Sequence, residues 1–253
     1  SESRFGIALA HAREAFAKAA ALPHLEPQAI AVHIGSQLTE IAPYEDAFAK
    51  VAELFEALKA EGIALRRVDL GGGLGVTYRD ETPPEPKAYA AAVKRTLGKL
   101  GVPLIFEPGR LLVAEAGVLV TRVIFAKQGA TRRFLVVDAA MNDLIRPTLY
   151  DAWHEIVPVA EPDGTLSPQS VDIVGPICET GDTFARDRAL PPAASGDLLA
   201  ICSTGAYGAT MASTYNSRLP APEVMVRGAD YAVIKPRIDY DALIGQDVVP
   251  AWL

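Results

Sequence analysis

"VPLIFEPGR", residues 102–110, is an apolar run that stops in an acid, a rigid turn and a base. Val102, Leu104, Ile105 and Phe106 have the character of a buried strand, and Glu107, Pro108, Gly109 and Arg110 that of a loop built for a ligand. A strand apolar on both faces belongs to a parallel sheet, and such sheets bind ligands beyond the carboxyl ends of their strands. Two stretches upstream end in the same way. "AIAVHIGS" (29–36) runs out into His33, Gly35 and Ser36, and "LRRVDLGGGLG" (65–75) runs from Asp69 into Gly71, Gly72 and Gly73.

Helical periods separate these strands. Residues 7–21 read as one helix. Residues 43–61 place Ala47, Phe48, Val51, Leu54, Phe55 and Leu58 on one face, with Pro43 at the start and Gly62 as a stop. Residues 85–101 form a third helix closed by a glycine. Strand, helix, strand, helix, strand is the order of parallel βαβ units. After about residue 116 the helical period disappears. "VLVTRVIFAKQ", "RRFLVVDAA", "SVDIVGPIC", "DLLAICSTGAYG", "EVMVRG" and "YAVIKPR" are short β runs between Pro, Gly and Asp, a texture of antiparallel sheet or barrel. The expected organisation is an α/β domain over 1–116 and an all-β domain over 117–253. An eight-stranded α/β barrel takes roughly 250 residues by itself. Three parallel strands therefore make either a small open layer or the later strands of a larger barrel.

Composition narrows the partners. The 253 residues are half hydrophobic and carry a net charge of -7, which argues against nucleic acid or an anionic membrane surface. A local Arg cluster still suffices for a small anion. No apolar run is long enough to span a bilayer. The N-terminal stretch has an amphipathic pattern and lacks the features of a signal peptide. Two cysteines, Cys178 and Cys202, do not make a disulfide framework, so a cytoplasmic location is expected.

The strand ends collect an imidazole, a hydroxyl, glycines, a carboxylate and a guanidinium. Glycines let backbone amides approach an anion, or merely make a tight turn. Arg110 can fork onto a phosphate or carboxylate, or pair with nearby Glu107. His33 is a ring contact or a satisfied core histidine. A phosphorylated cofactor with a basic ring nitrogen uses all of them together, and pyridoxal phosphate answers that description. In the β half, Cys178 and Glu179 share a loop, where the thiol is reactive or inert and buried. Arg146 and Tyr150, four residues apart, can hold a carboxylate or make a surface link. Small residues around Tyr207 suggest close approach of backbone to something planar or to another chain. No metal site is indicated.

The motifs "HIGSQ", "DLGGGLG", "EPGR", "MNDLIRPTLYDAWHEI", "GPICETGD" and "GAYGATMASTYNSRLPAPEVMV", in this order, resemble those of the diaminopimelate decarboxylase family. The resemblance runs from Arg4-Phe5-Gly6-Ile7 to the last residues. It implies a partial TIM-type barrel, later strands only, that binds pyridoxal phosphate, followed by an antiparallel C-terminal β-barrel or sandwich. It implies decarboxylation of meso-2,6-diaminopimelate to L-lysine, hence a part in lysine biosynthesis. By the same resemblance His33 stacks on the cofactor ring and Glu107 pairs with its nitrogen. Ser36, Gly72, Gly73, Pro108, Gly109, Arg110 and Tyr207 surround its phosphate. Arg110, Arg146 and Tyr150 grip the far carboxylate of the substrate, Glu179 its amine, and Tyr207 lies beside it. Cys178 gives the proton that replaces carbon dioxide. The loop of Cys178 and Glu179 reaches a partner subunit's site, so a homodimer is implied.

Glu179 after the cysteine, with Arg146 and Tyr150, favours diaminopimelate over the ornithine or carboxynorspermidine decarboxylases, the nearest alternatives. The sequence departs from the family in one respect. The family's cofactor lysine lies in a Tyr-Ala-x-Lys-like segment, and none occurs here. Lys18, Lys50, Lys59, Lys87, Lys94 and Lys99 lie in helical patterns, and Lys127 and Lys235 in the β part. The expectation is a portion of a decarboxylase, inactive by itself, or a non-catalytic remnant that keeps a phosphate pocket or a dimer surface.

Overall fold

The computed structural model describes residues 5–161 and 166–253, so Arg4, at the head of the family resemblance, lies outside the described residues. The chain divides into two compact units, Ser1–Leu112 and Val113–Leu253.

The first unit carries α1 (Leu9–Ala20), β1 (Ala29–Ala31), α2 (Ala42–Ala60), β2 (Arg67–Asp69), α3 (Pro86–Leu97) and β3 (Leu104–Ile105), with the short α4 (Gly109–Val113) at the division. The strands form a parallel sheet in the order β1-β2-β3. Helix α2 buries Tyr44, Phe48, Val51, Leu54, Phe55 and Leu58, one face at helical spacing. Fully burying side chains of this size contributes about 1.5–3 kcal/mol each. Tyr44, Phe48 and Tyr89 meet as a cluster of rings, with Tyr44 and Tyr89 edge to face at 5.0 Å. Burial pushes the Tyr89 phenol up to about 12, and burial next to Tyr89 raises Tyr44 as well.

Helix α3 ends at Leu97 and not at Gly101. The chain turns at Gly98, and Gly101, with φ +69°, shapes the following turn instead. The regular ladders are shorter than the apolar runs, yet the three strand ends stay tied. Val32 N–H donates to Asp69 O at 2.9 Å, Leu38 N–H to Gly73 O at 2.9 Å, and Glu107 N–H to Gly71 O at 2.8 Å.

The second unit holds β4 (Leu119–Gln128), β5 (Arg133–Val137), α5 (Arg146–Tyr150), β6 (Ile156–Pro158), β7 (Gln169–Val174), β8 (Thr183–Leu190), β9 (Leu198–Ile201), a hairpin of β10 (Glu223–Arg227) and β11 (Asp230–Lys235), and α6 (Tyr240–Ile244). Six strands pair in the order β6-β9-β4-β5-β7-β8. All neighbours are antiparallel except β5 and β7, which run parallel. That pairing follows from the excursion through α5 and β6, which brings the chain back to β5 in its original direction. The core of this unit includes Val123, Leu135, Val137, Ile173, Leu199 and Ile201.

Candidate active site

In the first unit, the candidate site is the joined carboxyl ends of β1, β2 and β3. Arg110, in the first turn of α4, donates through Nη2 to the hydroxyl of Ser36 at 3.0 Å and through Nη1 to the hydroxyl of Tyr78 at 2.6 Å. The guanidinium also lies 5.6 Å from the centre of the Tyr78 ring. Arg110 thus serves loop architecture, joining the hydroxyls of Ser36 and Tyr78.

The glycine run has a clear cause. A Cβ on Gly71 would overlap the carbonyl of Val32, one on Gly72 the carbonyl of Glu107, and one on Gly73 the carbonyl of Gly35. Gly71 and Gly73 also have φ of +63° and +97°, where side chains are strained. These glycines let three loops interlock. The same Cβ on Gly71 would come within 3.3 Å of Nδ1 of His33, so imidazole, glycines and the Glu107 backbone converge. Asp69 accepts the Gly71 amide at 2.9 Å and holds the start of the run. Gly109 differs, since a Cβ there meets nothing within 4 Å, and its amide donates back to the Glu107 carbonyl at 2.8 Å, closing the turn.

A cavity of about 560 Å³ lies between α3 and the β3 edge, lined by Leu74, Tyr89, Val93, Leu104, Phe106 and Leu111 among others. It is apolar and borders the site through Gly71, Gly72 and Pro108, but His33, Ser36, Glu107 and Arg110 do not line it.

The second unit carries the remaining candidates. Arg146 is buried, not part of a surface link, and its Nη1 lies 2.7 Å from Nε2 of His154. Tyr150, one turn along α5, is exposed. Cys178 is exposed, not buried. Its loop is clamped by Asp182, which accepts the amides of Ile177 and Met141, both at 2.7 Å. Burial pushes the Asp182 carboxyl above its ordinary range against the pull of those two amides. The Glu179 carboxylate accepts the Gly181 amide at 3.1 Å, and Thr148 on α5 donates to the Gly181 carbonyl at 2.6 Å. Through Thr148, the helix of Arg146 and Tyr150 is fastened to the loop of Cys178 and Glu179.

Tyr207 is exposed with φ +60°. Among the small residues around it, Gly205 lies so near the chain that a Cβ there would overlap the carbonyl of Val113. Tyr78, Thr148, His154 and Asp182 were not singled out from the sequence. Of these only Asp182 carried a signal, a Gly-Asp step closing the cysteine motif.

The residues of the first unit suit a phosphorylated pyridine ring. Loops interlocked so tightly that a Cβ cannot enter give a rigid cradle. An imidazole, a hydroxyl beside a guanidinium, and an exposed carboxylate at Glu107 are the kinds of group that ring and phosphate contacts require.

Comparison with known proteins agrees. Residues 15–205 match the family model described as pyridoxal-dependent decarboxylase, C-terminal sheet domain. The diaminopimelate decarboxylase of Zymomonas mobilis is 49% identical over all of this chain and 60% of its own length. That of Neisseria meningitidis serogroup A is 52% identical over 93% of this chain and 57% of its own. The solved structure of diaminopimelate decarboxylase from Helicobacter pylori complexed with L-lysine is 41% identical, with a TM-score of 0.90 over 97% of this chain and 61% of that one. The chain therefore spans about 60% of the relatives it matches. A family match over this extent, borne on interlocked strand ends and a predominantly antiparallel sheet, shows that the chain belongs to the pyridoxal-dependent decarboxylases, among relatives that are diaminopimelate decarboxylases.

Proposed function

We propose that the protein to which this chain belongs decarboxylates meso-2,6-diaminopimelate to L-lysine with pyridoxal phosphate. The observation that carries the reading is the tie of Ser36, Arg110 and Tyr78 beside a glycine run that also touches His33 and Glu107. Bound there, pyridoxal phosphate supplies a sink for the electron pair left when carbon dioxide departs.

The chain's own residues do the rest. His33 lies against the ring face and limits its tilt. Glu107, fixed by the Pro108-Gly109 turn, keeps a proton on the ring nitrogen by offering it a carboxylate. Ser36, Gly72, Gly73, Gly109, Arg110 and Tyr207 bind the phosphate. Arg146 and Tyr150, with Arg110, hold the carboxylate at the end that does not react, and Glu179 holds the amine there. Cys178, whose thiol is exposed on a clamped loop, delivers a proton to the carbon that has lost carbon dioxide. In a homodimer this loop serves the partner subunit's site, and the cytoplasm is the expected location.

We further propose that the 253 residues alone are inactive. Among the described residues no lysine lies on β1, β2 or β3 or at their carboxyl ends; Lys18, Lys50, Lys59, Lys87 and Lys94 lie on α1, α2 and α3.

The test is carbon dioxide release from meso-diaminopimelate by the intact protein with pyridoxal phosphate, beside the chain alone. The intact protein is expected to turn over and the chain to be inert. Turnover of ornithine or carboxynorspermidine in place of diaminopimelate would refute the substrate assignment. Cys178→Ala is expected to slow turnover with cofactor affinity unchanged; equal losses in both would refute the thiol's role.

A further inference from the structure

His154 is fully buried between α5 and β6, and both ring nitrogens are engaged. Nδ1 lies 2.8 Å from the carbonyl oxygen of Cys202, and Nε2 lies 2.7 Å from Nη1 of Arg146. Neither partner can exchange roles. A carbonyl only accepts, and a guanidinium only donates and keeps its charge. The proton therefore sits on Nδ1, and Nε2 offers its lone pair to Arg146. A second ring proton would set N–H against N–H next to a permanent cation.

The frame around the ring is fixed from several strands. Arg188, on β8, donates to the carbonyl of His154 at 2.9 Å, and the amide of Cys202 donates to the carbonyl of Glu155 at 2.8 Å. The guanidinium of Arg188 also covers the Trp153 ring, 3.4 Å from its centre. Arg146, by contrast, belongs to a helix of five residues, a length that has little stability of its own.

We infer that His154 is the positioning residue for Arg146, a neutral acceptor that fixes the plane of the guanidinium and so sets the preference for a substrate with a second carboxylate. This rests on the assignment of Arg146 to that carboxylate. A guanidinium is planar, so anchoring one N–H orients the others in their rigid fork. A neutral anchor does this without neutralising the charge. A carboxylate in the same place would pair with Arg146 and compete with the substrate.

The experiment is a mutant cycle in the intact holoenzyme with meso-diaminopimelate as substrate. His154→Asn keeps a donor to Cys202 but loses the acceptor for Arg146, whereas His154→Gln restores an oxygen near the Nε2 position. Loss of a hydrogen bond to a charged group corresponds to a rise in KM of about tenfold or more for H154N, with kcat changed by less than about threefold. H154Q is expected to return KM to within about threefold of the parent, and H154N added to Arg146→Gln to raise KM no further, as for residues acting through one contact. Equal losses in H154N and H154Q, a loss confined to kcat, or additivity with Arg146→Gln would overturn the inference. An unchanged KM in Arg146→Gln alone would instead strike at the assignment of Arg146, and remove this inference with it. The ring ¹⁵N spectrum of the unmutated holoenzyme gives a check that needs no variant to fold. His154 protonated on Nδ1 alone at neutral pH is expected, and a doubly protonated ring would overturn the inference.

Discussion

The guanidinium of Arg110 holds the hydroxyl of Ser36, 74 residues earlier in the chain, at 3.0 Å. One side chain thereby joins the loop after β1 to the loop after β3. Arg110→Lys keeps a charge but replaces a fork with a point donor, so it cannot serve Ser36, Tyr78 and, in the role proposed for it, a phosphate together. Affinity of the intact protein for pyridoxal phosphate is expected to fall by about tenfold or more, the scale of one lost charge-assisted hydrogen bond. Titration of cofactor absorbance measures it, and an unchanged affinity would remove Arg110 from the phosphate site.

Gly72→Ala tests the interlocked loops. The added methyl meets the Glu107 carbonyl, a backbone atom that moves only with its loop. Overpacking of this kind costs about 1–3 kcal/mol. Gly109→Ala, whose Cβ would enter open space, serves as the control. Denaturant unfolding is expected to show a lower midpoint for the first variant and little change for the second.

Phe48→Ala opens a hole at the centre of the ring cluster of α2 and α3. Such truncations cost about 3–5 kcal/mol. The loss is expected in the equilibrium unfolding of the first unit. A cost under about 1 kcal/mol, the level of a surface site, would mean that this core is not packed as described.

Two aspartates give opposite responses to acid. Burial pushes the Asp172 carboxyl up, but the Asp187 amide and the Arg132 guanidinium outweigh it and leave it below its ordinary 3.8. Its ionised form is thus favoured by folding, a contribution present above pH 3.8 and lost as pH falls through the lower folded value. Asp182 is raised by burial, so its contribution is full below pH 3.8 and fades as pH rises through the higher folded value. Thermal unfolding across pH 2–7 should therefore show the gap between parent and Asp172→Asn closing in acid (all at roughly the scale of a carboxylate titration). The gap between parent and Asp182→Asn should be widest there. A pH-independent gap for either variant would contradict the assigned environment.

Much of the first unit was legible because its signals are local. The spacing of Phe48, Val51, Leu54, Phe55 and Leu58 fixes a helix without reference to the rest of the chain. The ends of β1, β2 and β3 announce themselves through glycine, proline and charge. The second unit was less legible. Strand β8, "TFARDRAL", was missed since Arg186, Asp187 and Arg188 break its apolar alternation. Arg188 is nevertheless buried, on an indole 35 residues earlier, and no local pattern reports such a partner. The parallel pairing of β5 with β7 was hidden for a related reason, because alternation reveals which face is buried and not the direction of the neighbour. At the site, sequence offered a ligand or a tight turn as reasons for Gly71, Gly72 and Gly73, and a third operates, the carbonyls of adjoining loops. Arg146 and Cys178 were both named, yet what holds them, His154 and Asp182, came to light only through contacts.

The stack of Arg188 on Trp153 also gives the molecule an optical reporter. Of its two indoles, Trp252 is 81% exposed and already surrounded by water, while Trp153 lies under a guanidinium. A shift of emission during unfolding therefore comes from Trp153, immediately beside His154. The first unit contains only tyrosine and phenylalanine as fluorophores, so excitation at the red edge of the indole band follows the second unit's loss of structure by itself.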